Sequence, residues 1–124
     1  MPTLEHMHAV VNSYVHALNA ADPDAIVALY ADDAVVEDPV GSAPKKGKAE
    51  IRAFSAASVA FKLEVELEGP IRAVAGEAAF AFRVSFPMKG KRMTIRPIDT
   101  FRFNADGLVV HMRAFFGADN VHTE

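Results

Sequence analysis

The spacing of apolar residues changes once along the chain. Over the first third it is helical. Met7, Val11, Tyr14 and Leu18 fall at i, i+4, i+7 and i+11, one stripe of an amphipathic helix. Asp22 followed by Pro23 supplies an N-cap and a first-turn proline for a second helix. That helix is expected to run through Ile26, Val27, Leu29 and Tyr30 and to stop near Asp32. "AVVED", residues 34–38, reads as a short strand ended by Pro39 and Gly41. After the loop "GSAPKKG", a third helix is expected from about Lys48, with Ile51, Phe54 and Ser55 on one side.

Beyond Ala60 the period is two. Leu63, Val65 and Leu67 alternate with Lys62, Glu64, Glu66 and Glu68, and four further strand-like runs follow: "IRAVA", "AAFAFRVSF", "TIRPIDTFRF" and "LVVHMRAFF". Gly69-Pro70, Gly76-Glu77, Lys89-Gly90 and "NADG" at 104–107 read as hairpin breaks. Helices first and an antiparallel meander afterwards predict an α+β fold. Three N-terminal helices would cover one face of a curved, mostly antiparallel sheet and leave a pocket between them. Alternation puts Phe80, Phe82, Val84 and Phe86 on one face, and Leu108, Val110, Met112, Ala114 and Phe116 on one face. With Phe54, Phe101 and Phe103 they make an aromatic interior. Most of it is packed core. A subset near the open end could line an apolar ligand cavity, and alternation does not say which.

Three polar residues interrupt the apolar faces. In "TIRPIDTFRF", residues 94–103, Ile95, Pro97, Asp99, Phe101 and Phe103 share a side, so a carboxyl falls among apolar neighbours. Either a bulge near Pro97 turns Asp99 outward, or it is buried and tends to hold a proton. Tyr14 lies on the first helix's apolar stripe, either bonding a backbone carbonyl or offering its phenol to a cavity. Asp38 shares a face with Val36 and Val40; it is either a turn-initiating Asp before proline or a cavity carboxylate. Two carboxyls in unequal environments can divide into acid and base, chemistry suited to moving a proton beside a carbonyl without a metal.

Composition narrows the field. The 124 residues suit one domain, 1–124, and 51% hydrophobic with 23% charged residues is the balance of a soluble globular protein. Net charge is −3, and Lys45, Lys46 and Lys48 form only a short loop patch, so no nucleic-acid partner is expected. The absence of Cys excludes disulfides and thiolate chemistry. His6, His8, His16, His111 and His122 form no H-x-x-x-H pair; they are expected at the surface, with no metal site. No serine has a G-x-S-x-G context, and neither a phosphate loop nor a dinucleotide fingerprint is present. No signal peptide or membrane span is visible, which makes the cytoplasm the expected location.

Along nearly its whole length the sequence resembles the bacterial ketosteroid isomerases. The resemblance rests on "EHMHAVVNSYVHALNAADPDAIVALYADDAVVEDPVGS", "EAAFAFRVSF", "PIDTFRFN" and "HMRAFFG". It implies the cone-shaped, nuclear-transport-factor-like (cystatin-like) fold, a homodimer, no cofactor, and migration of a double bond from the 5,6 to the 4,5 position of a 3-oxo steroid. It implies Asp38 as the general base, Tyr14 as the phenol of the oxyanion hole and Asp99 as its protonated acid. The neutral acid is the family's best-known feature, so that role comes with the resemblance; the alternation of the strand reaches Asp99 only as an anomaly. One departure is Ser55, where many members carry a tyrosine that bonds the oxyanion-hole phenol; Tyr30 resembles a further member of that network. Phe54, Phe82, Phe86, Phe101, Met112 and Phe116 are the expected steroid-binding walls. Ile98, Val109 and Phe115 fall on the opposite sheet face, where a second subunit could pack. The alternatives are a dehydratase or cyclase on the same fold, and a non-catalytic carrier or sensor of hydrophobic molecules.

Overall fold

The computed structural model describes residues 1–124. Helix α1 (Leu4–Asn19) begins at Thr3, whose hydroxyl accepts from His6 N at 3.0 Å, and buries the expected stripe of Met7, Val11, Tyr14 and Leu18. Helix α2 (Pro23–Val27) is capped by Asp22, as its Asp-Pro start predicts. It ends a turn earlier than expected. Tyr30 opens strand β1 (Tyr30–Glu37) instead, and Leu29 O already accepts from Val109 N at 2.9 Å. Pairing with the sheet captures this segment over its helical spacing. A two-residue strand β2 (Lys45–Lys46) leads into α3 (Gly47–Val59), which presents Ile51, Phe54 and Ser55 inward.

The rest is strand: β3 (Glu64–Leu67), β4 (Arg72–Val74), β5 (Glu77–Met88), β6 (Lys91–Ile95), β7 (Ile98–Phe103), β8 (Val109–Phe115) and a C-terminal β9 (Val121–Thr123) that the alternation had not revealed. All nine form one mixed sheet, mostly antiparallel with β1 parallel to β8. Strand β5 is its spine. Along one edge β3 pairs with its second half and β4 with its first; along the other, β6 and β7 do the same. Gly69-Pro70 is therefore not a hairpin but an interruption in a path that continues along the same edge. Arg96-Pro97 is its counterpart, splitting the run 94–103 into β6 and β7. Both breaks lie beside Ala81–Phe82, where Glu68 N donates to Ala81 O at 2.9 Å and Phe82 N to Pro97 O at 3.2 Å. Prolines cannot continue a ladder, so the sheet bends here and closes over the helices. Three of the expected breaks are hairpins: "NADG" at 104–107 joins antiparallel β7 and β8, and two-residue turns stand at Ala75-Gly76 and Lys89-Gly90, where both residues of each pair have positive φ, as such a turn requires.

A bulge corrects the expected faces of β8. Phe103 pairs with Val109 but Arg102 pairs with His111, so one extra residue stands on β8. The insertion flips the alternation. Val109 is 0% exposed and belongs to the core, not to an outer surface, while Met112 and Ala114 still face inward. Ile98 and Phe115, 50% and 42% exposed, are cross-strand partners on the outer face as expected.

Helix α1 is tied to the sheet by one side chain. The Asn19 amide donates to Val65 O at 2.9 Å, and its carbonyl accepts from Val65 N at 2.7 Å. It stands where a neighbouring strand's backbone would. Asn19→Ala removes both partners and is expected to cost about 1–3 kcal/mol of stability. Urea denaturation reads this; a change well under 1 kcal/mol would show that solvent replaces the amide.

Candidate active site

Between the helices and the concave face lies a cavity of about 270 Å³. Sixteen of its twenty-one lining residues are hydrophobic, which suits an apolar ligand. Five of the six expected walls line it: Phe54, Phe82, Phe86, Met112 and Phe116. Phe101 does not. It lies beneath, with its ring edge-on to Tyr14 at 5.2 Å and Phe80 at 5.1 Å, and 6.5 Å from Tyr30. Alternation reports the face of a strand and not the depth along it. Ile95 and Pro97, which share Asp99's side, are walls too, as are Phe61 and Leu63, which helical and strand spacing alone did not single out.

Asp99 is 1% exposed, so no bulge turns it outward; its neighbour Ile98 takes the outer side. It lines the cavity, and neither of its carboxyl oxygens has a hydrogen-bond partner in the protein. Burial pushes its pKa well above the usual carboxylate range, and the nearby Asp38 charge pushes it further. Tyr14 from α1 and Tyr30 from the start of β1 bring two phenols to the same cavity. Burial foremost holds the proton on each, and an ionised Asp99 would only add to the effect. No hydrogen bond joins the two phenols, and Ser55, buried on α3, lines the same cavity. Ser58 Oγ is occupied by Phe54 O at 3.0 Å.

Asp38 follows the last residue of β1, before a cis Pro39. The turn is fastened by Ser42 Oγ donating to Pro39 O at 2.6 Å and Val40 N donating to Ala114 O at 2.9 Å. Alternation along β1 sends Val36 and Asp38 inward and Glu37 outward. Outside, Glu37 accepts from Arg113 Nε at 3.0 Å and His111 Nε2 at 2.5 Å. His111 is thus a half-buried partner in this cluster, a correction to its expected place at the surface. Asp38 is half-buried, and burial raises its pKa to about 6 against the opposing pull of Lys45.

One apolar cavity therefore holds a carboxyl that titrates near neutrality, a carboxyl that stays protonated, and two phenols. Such a set can accept a proton at one place and donate hydrogen bonds at another. The bent sheet closed over three helices, with its polar groups converging inside, defines the nuclear-transport-factor-like class of small-molecule sites. The profile of the SnoaL-like domain matches residues 11–112. The steroid Delta-isomerase of Nocardioides simplex is 44% identical over 108 residues, 87% of each chain. Among solved structures, the epoxide hydrolase/cyclase-like enzyme SalBIII, of pyran ring formation in the polyether salinomycin, superposes with a TM-score of 0.87 at 26% identity, covering 94% of this chain and 95% of that one. The chain belongs to the SnoaL-like family, in its ketosteroid-isomerase branch, and it is an isomerase. No helix is long and apolar enough to cross a membrane.

The state of Asp99 is open to a stability measurement. Below the ordinary carboxylate pKa both folded and unfolded chains hold this proton. Above it only the folded chain does, so stability declines with rising pH, by about 1.4 kcal/mol per unit, until the folded acid ionises. Asp38 adds a similar decline only up to about pH 6. Asp99→Asn removes the contribution of Asp99, so its advantage over the parent should widen with pH above 6 in urea denaturation. Parallel stability curves would mean that Asp99 folds ionised.

Proposed function

We propose that this enzyme converts 3-oxo-Δ5 steroids to 3-oxo-Δ4 steroids by carrying one proton through a dienolate. The observation that carries the reading is the Asp99 carboxyl, buried and unpartnered in an apolar cavity that Tyr14 and an ionisable Asp38 also line. A protonated acid placed there has a hydrogen bond to give and no protein group to receive it. A ligand oxygen that gains negative charge is the complement. Asp38 in its carboxylate form removes the proton from the carbon between carbonyl and alkene. The C–H electron pair moves into a dienolate, and charge arrives on the former carbonyl oxygen. Tyr14 and protonated Asp99 donate to that oxygen, where the low polarity strengthens each bond. Asp38 then returns the proton two carbons further on, so the proton count closes without a second base. Phe54, Phe82, Phe86, Met112 and Phe116 would hold the fused rings, as the 44%-identical steroid Delta-isomerase supports.

The likeness to a cyclase-like enzyme favours one second reading, acid–base ring closure in the same cavity. Turnover of 5-androstene-3,17-dione, followed by the ultraviolet absorbance of the conjugated product, separates the readings; no absorbance change would remove the isomerisation. A carrier role would need the cavity but neither carboxyl. Ile98 and Phe115 on the outer sheet face give a second copy of the chain an apolar surface to pack on, and a monomer in sedimentation would remove that dimer.

Asp38→Asn keeps the shape but cannot accept the proton, and its rate should fall by about 10²–10⁴-fold while a phenolic steroid still binds. Because the carboxylate is the working form, kcat/KM of the parent should fall as pH drops through about 6. Near-full activity in the variant would eliminate Asp38 as base.

The donor role of Asp99 orders a second series. Asp99→Asn leaves a donor of nearly the same size and should keep much of the rate. Asp99→Ala leaves none and should lose about 10²–10³-fold, the usual cost of one oxyanion donor. Equal damage from the two changes would show that Asp99 does not act simply by donating.

A further inference from the structure

Four ionisable side chains line the cavity, Tyr14, Tyr30, Asp38 and Asp99, and all four are acids. The cation comes from the rim. Lys45 and Val36 are direct partners in the antiparallel pairing of β2 with β1, so they share a face of the sheet. Val36 lines the cavity, which puts Lys45 on the cavity side. Its ammonium lies 5.1 Å from the centre of the Phe54 ring, itself a cavity wall. The same ammonium donates to Ala43 O at 3.0 Å. In an antiparallel pair, the step from Lys45 back to Ala43 runs alongside the step from Val36 forward to Asp38. The amine therefore reaches along its strand toward the end that bears Asp38. Lys48 pairs with exposed Asp32 at 3.8 Å, whereas no surface carboxylate pairs with Lys45.

We propose that Lys45 is a positioning residue for the charge on Asp38: its ammonium, held at the rim by Phe54 and the Ala43 carbonyl, keeps that carboxylate ionised inside a cavity that favours its neutral form. Only the effect on turnover rests on the reading of Asp38 as the base. The other neighbours cannot take this part. Helix α1 brings Tyr14, β1 brings Tyr30 and β7 brings Asp99, none of them cationic. Helix α3 brings Phe54, Ser55 and Ser58, and β8 brings Met112, Ala114 and the neighbouring Phe116. On the far side of the sheet, Arg113 and His111 are engaged by Glu37. Burial raises the Asp38 pKa, and Lys45 is the cation that opposes it. A ring face beneath the ammonium restrains it without neutralising it.

Removing a positive charge beside a carboxylate raises the carboxylate's pKa. It also makes the ionised form a stronger base. The acid limb of the rate profile should therefore move to higher pH without loss of the plateau. Damaged packing would do the reverse, lowering the plateau and leaving the limb in place. Lys45→Met and Lys45→Arg test this in two ways. Infrared difference titration of the ligand-free enzyme, with Asp38→Asn as the spectral reference, follows the carboxylate directly. The pH dependence of kcat/KM with the 3-oxo-Δ5 steroid follows its use. In Lys45→Met the infrared midpoint should rise from about 6. At pH 5.5 kcat/KM should fall roughly two- to fivefold, as expected for loss of one partly solvated charge. Lys45→Arg should restore both. An unmoved infrared midpoint, or an equal shift in the Arg variant, overturns the proposal. A midpoint that moves while the rate profile stays put supports the role of Lys45 and overturns Asp38 as the base.

Discussion

A carboxyl buried with neither oxygen bonded to the protein is a standing cost, about 1–3 kcal/mol for an unsatisfied polar group and far more for an unpaired charge. Asp99 is such a group, and the cavity is arranged around it. The walls that exclude water from Asp99 make its neutral form the cheaper one. The same walls act more weakly on Asp38, which stands half-buried at a strand end within the influence of a lysine. One apolar volume thus produces two unlike carboxyls, by depth first and by nearby charge second. The phenols answer to the same rule, each kept protonated foremost by burial.

The fold makes this depth available by bending its longest strand. Strand β5 is flanked on both edges by paths broken at proline, and the breaks stand beside the same two residues. Beyond the bend, Phe82, Val84 and Phe86 face the cavity; before it, Phe80 joins Phe101 in the packed layer below Tyr14. The Tyr14 ring meets Phe80 and Phe101 edge-on while the residue lines the cavity. On the outside, the Glu37 cluster joins β1 to β8 next to the turn that carries Asp38. Positions on the outer face thereby hold the inner site in place.

The parts of this arrangement legible in the sequence are those governed by local spacing. The stripe from Met7 to Leu18, the Asp22 cap and the side of the strand on which Asp99 falls follow from periods of 3.6 and 2. Where contact between distant segments decides, spacing misleads. Tyr30 continues a helical pattern, yet pairing with Val109 makes it strand. Val109 sits on the outer face by counting, yet one bulged residue returns it to the core. Gly69-Pro70 marks an interruption without saying whether the chain reverses or continues. Phe101 was on the correct face but one step too deep to be a wall. The proposed roles of Asp38, Tyr14 and Asp99 came with the family resemblance. The convergence of these three side chains on one cavity depends on long-range pairing that no local pattern encodes.

The amide of Asn19 has a meaning beyond docking a helix. Strand β3 pairs with β5 on one side only, so its other side is a free edge. At the middle of that edge, the Val65 N–H and C=O are the groups that a strand from another molecule would have to engage. Asn19 occupies both. An unpaired edge invites sheet-to-sheet association between chains, and proteins commonly guard against it with a lysine, a proline or a covering element. Here a single neutral side chain at the end of a helix serves as the guard. It closes the middle of the edge to intermolecular growth while the strand's other side stays paired with β5.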